Sequence, residues 1–336
     1  MQNLYNFVIN VDDQKLDFFR HSTLEDHLHH FYRHGYDWCL QPFLRLCMHT
    51  DLAVRLSNKL QPDCINIIHS AHLHEMVGRP DNFIVCARAD FPRRRWAHFH
   101  IVQNKNQVEK NAAFIPHWVQ PGLIGRDSNR KSLECVGYAG QVFNGNLAAT
   151  EQEWKQLFMP HGLDFVVLPP DNCFDLRDID VLIGIRSFSS FHYNAKPASK
   201  LVNAWHAKIP FIGGFDSAFE QVGTPGQDYL RVKSKKEVLD AVLELRSNEH
   251  LYSSLVRNGV EKTKTYNDAV TLERWKEVLL GPVVDRFEKW KANKGFEAKR
   301  FAVQTALSRV EYNGKKIAKK IVSTEHLQKM KRLFEK

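Results

Sequence analysis

Residues 196–220 read KPASKLVNAWHAKIPFIGGFDSAFE, and the apolar run Val181-Leu182-Ile183-Gly184-Ile185 just upstream has the length of a buried strand ending at Arg186. The carboxyl end of a strand is where open α/β sheets bind ligands. Pro197 stands where a first helical residue belongs, and Leu201, Ala204 and Trp205 recur at helical spacing as far as Lys208. Lys196, Ser199, Lys200 and Asn203 then fall in the first two turns of that helix. A helix start presents free backbone N–H groups and a partial positive charge, so lysine is normally favoured at the opposite end. Two lysines and a hydroxyl at the opening point to an anion, phosphate above all. A solvated basic helix end is the plainer reading of the same residues.

The next unit repeats the arrangement. Ile209-Pro210-Phe211-Ile212 reads as a strand running into Gly213-Gly214, after which Asp216 or Ser217 caps a short helix through Gln221, with Glu220 facing the same crevice. These residues resemble the nucleotide-sugar domain of GT-B glycosyltransferases, whose second half carries a helix, a P-x-I-x-G strand and a following acidic residue. The resemblance covers roughly a hundred residues and its spacing is moderately specific. Many members of that superfamily place a glutamate where this chain has Lys200 or Asn203. The E-x7-E donor motif is therefore in doubt, and the chain is more similar to lineages that set lysine on the pyrophosphate.

The resemblance implies an α/β, GT-B-like architecture of two Rossmann-like domains facing a cleft. It also implies transfer of a sugar from a nucleotide-activated donor to an acceptor hydroxyl, in glycan or polysaccharide synthesis. The nucleotide-sugar is a substrate, and no separate cofactor or metal is expected. Arg186, Lys196, Ser199 and Lys200 would stabilise the charge building on the departing diphosphate in place of a metal. Gly140, opening the first loop of the second domain, would approach the donor phosphates, although a glycine in a surface turn reads the same.

Strands alternate with helices on both sides of this stretch, which implies mainly parallel sheets. The expected division is an acceptor domain over residues 1–125, a donor domain over 126–282, and a crossing helix with a basic helical tail over 283–336. In the first part, Leu4 to Val11 reads as a strand and Leu24 to His34 as a helix capped by Ser22 or Thr23 and stopped at Gly35. Gln41 to Met48, Cys64 to Ile68, Phe83 to Ala87, His98 to Val102 and Ala112 to Ile115 read as further strands. Four of these run into polar residues: His69, then Arg88 and Asp90, then Gln103-Asn104, then His117. That is what a ligand crevice along one sheet edge requires. If the transfer inverts configuration, Asp90, His69 and His72 are the candidate bases for an acceptor hydroxyl; if it retains configuration, no such base is needed there. An Arg88–Asp90 ion pair is the structural alternative for the first, and a hydrogen-bonded structural role for the histidines. Arg93-Arg94-Arg95 is either a solvated loop or a face for an anionic acceptor. HWVQPGLIGR, His117 to Arg126, suits an interdomain connection. Glu237 to Arg246, His250 to Tyr266 and Thr271 to Trp290 are helical by apolar spacing, interrupted at Ser247-Asn248 and Gly281-Pro282. By the resemblance, Leu272 to Trp290 would cross back to brace the first domain.

The chain has 336 residues, 43% hydrophobic and 25% charged, enough for two domains with substantial cores and unlike a disordered protein. No apolar run reaches membrane-spanning length and no secretory signal is legible, so a cytoplasmic location is expected. The six cysteines form no C-x-x-C pair and read as reduced core thiols, and the histidines of His69-Ser-Ala-His72-Leu-His74 lack a completing ligand set for a metal. Of the formal +9, +8 lies in residues 293–336, which hold twelve Lys or Arg and four Glu. That tail, with Lys315-Lys316 and Lys319-Lys320, is either solvated or drawn to an acidic partner or the anionic inner face of a membrane. The near-neutral remainder weighs against nucleic acid. A nucleotide-sugar epimerase of the same fold and a non-catalytic nucleotide-sugar or membrane-surface binding protein are the rival readings.

Overall fold

The computed structural model describes residues 3–33, 35–142, 145–311 and 313. Two wholly parallel sheets follow one another along the chain. The first holds β1 (Tyr5–Val8), β2 (Val54–Ser57), β3 (Ile65–His69), β4 (Phe83–Ala87), β5 (Phe99–Val102) and β6 (Ala112–Phe114), in the order β2-β1-β3-β4-β5-β6. The second holds β7 (Cys135–Ala139), β8 (Asp164–Leu168), β9 (Val181–Gly184), β10 (Phe211–Gly213) and β11 (Leu230–Arg231), in the order β11-β10-β9-β7-β8. Strands such as INIIH and FIVCA are buried along their whole length, so both faces of each sheet need a helical cover. The architecture is α/β, two Rossmann-like units.

In the first unit α1 (Asp13–Arg20), α2 (Gln41–His49) and α3 (Ser70–Met76) supply part of that cover. In the second, α4 (Glu151–Phe158), α5 (Ser199–His206), α6 (Ser217–Val222), α7 (Lys235–Ser247) and α8 (Glu249–Thr263) do so. Then α9 (Asp268–Val278) and α10 (Val284–Ala292) return to the first unit, where Trp275, Leu279, Phe287 and Trp290 enter the same core as Phe7 and Phe83. Tyr5 Oη donates to Leu279 O at 3.3 Å and the Phe7 and Trp275 rings lie 6.0 Å apart. Each of these side chains contributes about 1.5–3 kcal/mol by leaving water, so the helix pair fastens the end of the chain to its start. A further helix, α11, runs through residues 294–311; the Lys315–Lys320 patch lies outside the described residues.

Several local expectations are corrected. Gln41 to Met48 is helix, not strand: its apolar run has no alternation, and Pro42 sits in the first turn, where its missing N–H costs nothing. The helix expected over Leu24 to His34 is only a 3₁₀ turn, Glu25–His30, tied by Asp26 Oδ2 accepting from the N and Oγ1 of Thr23. The real first helix, α1, lies earlier, capped by Asp12 Oδ1 accepting from Lys15 N at 2.7 Å. Gly281-Pro282 does not interrupt the return; it is absorbed in a π-helical turn, Leu279–Val283. Finally, α5 opens at Ser199, so Lys196 and Pro197 belong to the loop before it.

Candidate functional site

In the second sheet the strand order reverses between β7 and β9, so the loops leaving these two strands diverge and open a crevice at their carboxyl ends. The loop after β7 begins with Gly140 at φ +118°, a conformation glycine adopts without steric cost. A Cβ there would lie 3.1 Å from Lys200 Nζ. Lys200 rises from the first turn of α5, donates to Ala139 O at 2.6 Å, and holds its ammonium 4.8 Å from the Tyr138 ring centre. Burial, reinforced by nearby Arg186, brings its ammonium down to about 8.

Arg186 follows β9. Its Nη1 donates to Asn146 Oδ1 at 2.9 Å and its Nε to Asp216 Oδ1 at 3.1 Å. Asp216 is 1% exposed; burial pushes its carboxyl up even though Arg186 pulls it down, and Oδ2 has no hydrogen-bond partner among the described residues. Asp216 therefore aims Arg186, without capping α6 by its side chain. Arg186, Lys196, Ser199, Lys200 and Asn203 all border one cavity of about 250 Å³.

The first unit forms the opposite wall, with Asp37, Trp38, Asp90, Gln103 and His117. Asp37 sits on a π-helical turn, Tyr36–Leu40, leading into α2; burial holds its carboxyl well above the ordinary carboxylate range, and its side chain has no hydrogen bond among the described residues. His117 shares a 2.7 Å hydrogen bond between Nε2 and Gln103 Oε1, with its ring edge-on to Trp38 at 4.9 Å. Burial lowers His117 to about 4, against a partial counter-pull from Asp90, so it is neutral at physiological pH. Asp90 reaches across the cleft mouth to an ion pair with Lys196. Its neighbour Ala89 has φ +48°, a strained value for a residue with a Cβ, and Tyr193 on the facing loop has φ +47°.

Around this ion pair the two units are clasped. Gln103 Nε2 donates to Ala195 O at 2.9 Å; Asn104 Nδ2 donates to Lys196 O at 3.0 Å and Ser217 Oγ at 2.9 Å. Gln221 Nε2 donates to Asn104 Oδ1 at 2.9 Å. The polar residues after β5 thus join the two units, and Gln103 also borders the cavity.

The structure separates the other candidates. His69 is buried at the opening of α3, its Nδ1 accepting from Ala71 N at 3.1 Å, and His72 Nδ1 accepts from Asn10 N at 3.3 Å; neither borders the cavity. Ser217 belongs to the clasp. Glu220, expected to face the crevice, pairs instead with Arg231 at 2.5 Å away from the cavity. Arg88 pairs with Glu109 at 3.6 Å, not with Asp90. The arginine run is also engaged: Arg93 with Glu109, Arg94 with Ser70, Arg95 with Glu311. Asp37 is not legible in the sequence, since Gly-Tyr-Asp-Trp carries no strand-end signal; His117, which follows an apolar run as His69 does, borders the cavity. Among the described residues no three His, Cys, Asp or Glu side chains are grouped for a metal ion.

No protein-family model and no curated protein matches the chain. Solved structures do. HepE from Anabaena, in complex with UDP and glucose, aligns at 10% identity over 84% of this chain and 100% of its own, with a TM-score of 0.50. Sucrose-phosphate synthase from Thermosynechococcus elongatus aligns at 10% identity over 71% of this chain and 76% of its own, TM-score 0.49. TarM aligns at 11% identity over 67% of this chain, TM-score 0.47, and the match spans only 55% of TarM. At such identities the likeness is one of fold. Two parallel sheets facing across a cleft, fastened by a returning helix pair and matched over 84% of the chain by HepE, give this chain the GT-B fold.

Proposed function

We propose that this chain is a glycosyltransferase moving a sugar from a nucleotide-diphosphate donor to an acceptor hydroxyl. The observation that carries the reading is the convergence of Arg186, Lys196 and Lys200 beside the Gly140 loop at the switch point of the second sheet. Three cations around one cavity suit a diphosphate. That HepE was solved with UDP and glucose supports the same class of ligand. In the reaction the anomeric carbon–oxygen bond to the diphosphate breaks, its electron pair leaves with the phosphate, and the acceptor oxygen forms the new bond. The cations stabilise the leaving charge. The acceptor proton passes to a carboxylate of the first unit, Asp37 or Asp90.

Thermal shifts with UDP, GDP, CMP, dTDP and ADP, followed by turnover of the corresponding sugar donor with and without acceptor, test the reading. A shift with one diphosphate and acceptor-dependent release of it are expected. Absence of any shift removes the donor seat; turnover without an acceptor identifies an epimerase; binding without turnover identifies a carrier.

Lys200→Ala is expected to weaken binding of that diphosphate by about 10- to 100-fold with the melting temperature retained, since a charge-assisted hydrogen bond contributes about 1.5–3 kcal/mol. Because the Lys200 ammonium titrates near 8, wild-type affinity should hold below that pH and fall as pH rises through it. The diphosphate is already ionised there and does not compensate. Unchanged affinity in the folded variant, or a flat profile through pH 9, sinks the assignment.

Asp90→Asn releases Lys196 from its ion pair. Diphosphate affinity in this variant should stay level or rise a few-fold, because the carboxylate no longer competes for the ammonium. A fall in affinity, measured by titration calorimetry, shows that Asp90 supports the donor instead.

A further inference from the structure

Helix α11 is patterned the wrong way round for a helix covering a soluble domain. Its inward side carries a carboxylate: Glu297, 6% exposed, accepts from Arg286 Nη2 and from Arg300 Nε, each at 2.6 Å, with His98 beside it. Phe301, two residues short of the exposed Val303, packs into the cluster of Leu73, Trp96 and Ala97. Lys294 to Asp63 and Arg95 to Glu311, both at 2.6 Å, tie it to the first unit at two positions 17 residues apart. The helix is thus held at several points along its length.

Its outward side holds Phe296, Val303, Leu307 and Val310, which are 69%, 56%, 47% and 69% exposed. Steps of seven, four and three residues place these four on one narrow line along the helix. An amphipathic helix ordinarily turns such a line toward its own core, and a contiguous apolar patch left in water marks an interaction surface.

Charge selects the occupant. Lys289, Lys291, Lys294 and Lys299 are exposed on α10 and α11, and residues 312–336 add eight Lys or Arg against two Glu. A second copy would lay one basic helix against another, whereas an anionic lipid surface answers both the charge and the apolar line. We propose that the outward face of α11 is a docking surface for an anionic bilayer, lying in the interface plane. Among the described residues no helix is long and apolar enough to cross a membrane.

The test is co-sedimentation of the full chain with vesicles of phosphatidylcholine alone or mixed with phosphatidylglycerol. Wild type should bind the mixed vesicles at least about tenfold more tightly than the neutral ones, less so in high salt. The triple variant Phe296→Ser, Val303→Ser, Leu307→Ser should lose at least about tenfold on the mixed vesicles while melting at the parental temperature, since all three side chains are exposed. Three results overturn the proposal: no vesicle binding by wild type, equal binding by the folded variant, or a concentration-dependent dimer that the variant abolishes while vesicle binding is untouched. The last would give the face to a second copy.

Discussion

Asp37→Asn is expected to lower sugar transfer by about 10²- to 10⁴-fold, the range of a lost general base, with diphosphate affinity and melting temperature retained. The side chain borders the same cavity as Lys200 but from the other unit, and no hydrogen bond among the described residues occupies it. Burial raises its carboxyl well above the ordinary range, which suits a base: a carboxylate of higher pKa has more driving force to take a hydroxyl proton. The rate should therefore fall as pH drops through that raised value, and fall again above about 8 as Lys200 loses its charge. In Asp37→Asn the acid limb should vanish and the alkaline limb remain. Asp90→Asn is the comparison: if it abolishes transfer while Asp37→Asn transfers at the parental rate, the base is Asp90 and Asp37 is a wall of the cleft.

The contrast between these two acids shows what was legible in the sequence. Asp90 stood out because it follows a fully apolar strand, FIVCA, and strand ends are where α/β ligands bind. The same rule singles out Arg186 after β9, the resemblance singles out Gly140 after β7, and the cavity residues Lys196, Ser199 and Lys200 are singled out by the expected opening of α5. Their common feature is local: each lies within a few residues of the element that positions it. Asp37 lies instead on a π-helical turn between a 3₁₀ turn and α2, where hydrophobic period carries no signal, and its exposure to the cleft depends on the second unit folding over it. Partners across the units were equally invisible. Gln103 and Asn104 read as ligand residues, but their amides hold the loop before α5, a contact between residues 92 positions apart. Glu220 failed for the converse reason: its helix formed as expected, yet Arg231 on the neighbouring β11 draws the side chain away. The strand reading of Gln41 to Met48 failed because so short an apolar segment, broken at Arg45, does not distinguish a strand from a buried helix.

Asp180→Ala is expected to cost about 3 kcal/mol of stability, the lower end of the range for breaking a buried charged pair, because both arginines that face it keep some access to solvent. Asp180 itself is fully buried just ahead of β9. Its Oδ1 accepts from Arg126 Nε at 2.7 Å and Arg130 Nε at 2.9 Å. Its Oδ2 accepts from Arg130 Nη2 at 2.8 Å and from the N–H groups of Glu134 and Cys135 at 2.9 and 2.8 Å. One carboxylate thereby joins the segment between the two sheets to the start of β7, and alanine leaves two guanidiniums and two backbone donors without their acceptor. Burial alone would raise this carboxyl; the bonds from Arg130, the two amides and Arg126 outweigh it and hold the group below the ordinary 3.8. The sign follows: the stabilisation is fully present above 3.8 and is lost as pH falls below it through the folded-state value. Urea unfolding at pH 7 should show the full loss, and the gap between wild type and variant should narrow progressively in acid. Asp178→Ala, at a carboxylate 89% exposed and 3.6 Å from Arg130, is the control and should change stability by less than about 0.5 kcal/mol. If Asp180→Ala unfolds at the parental urea concentration, water replaces the carboxylate without penalty and this ion cluster does not hold the junction between the two units.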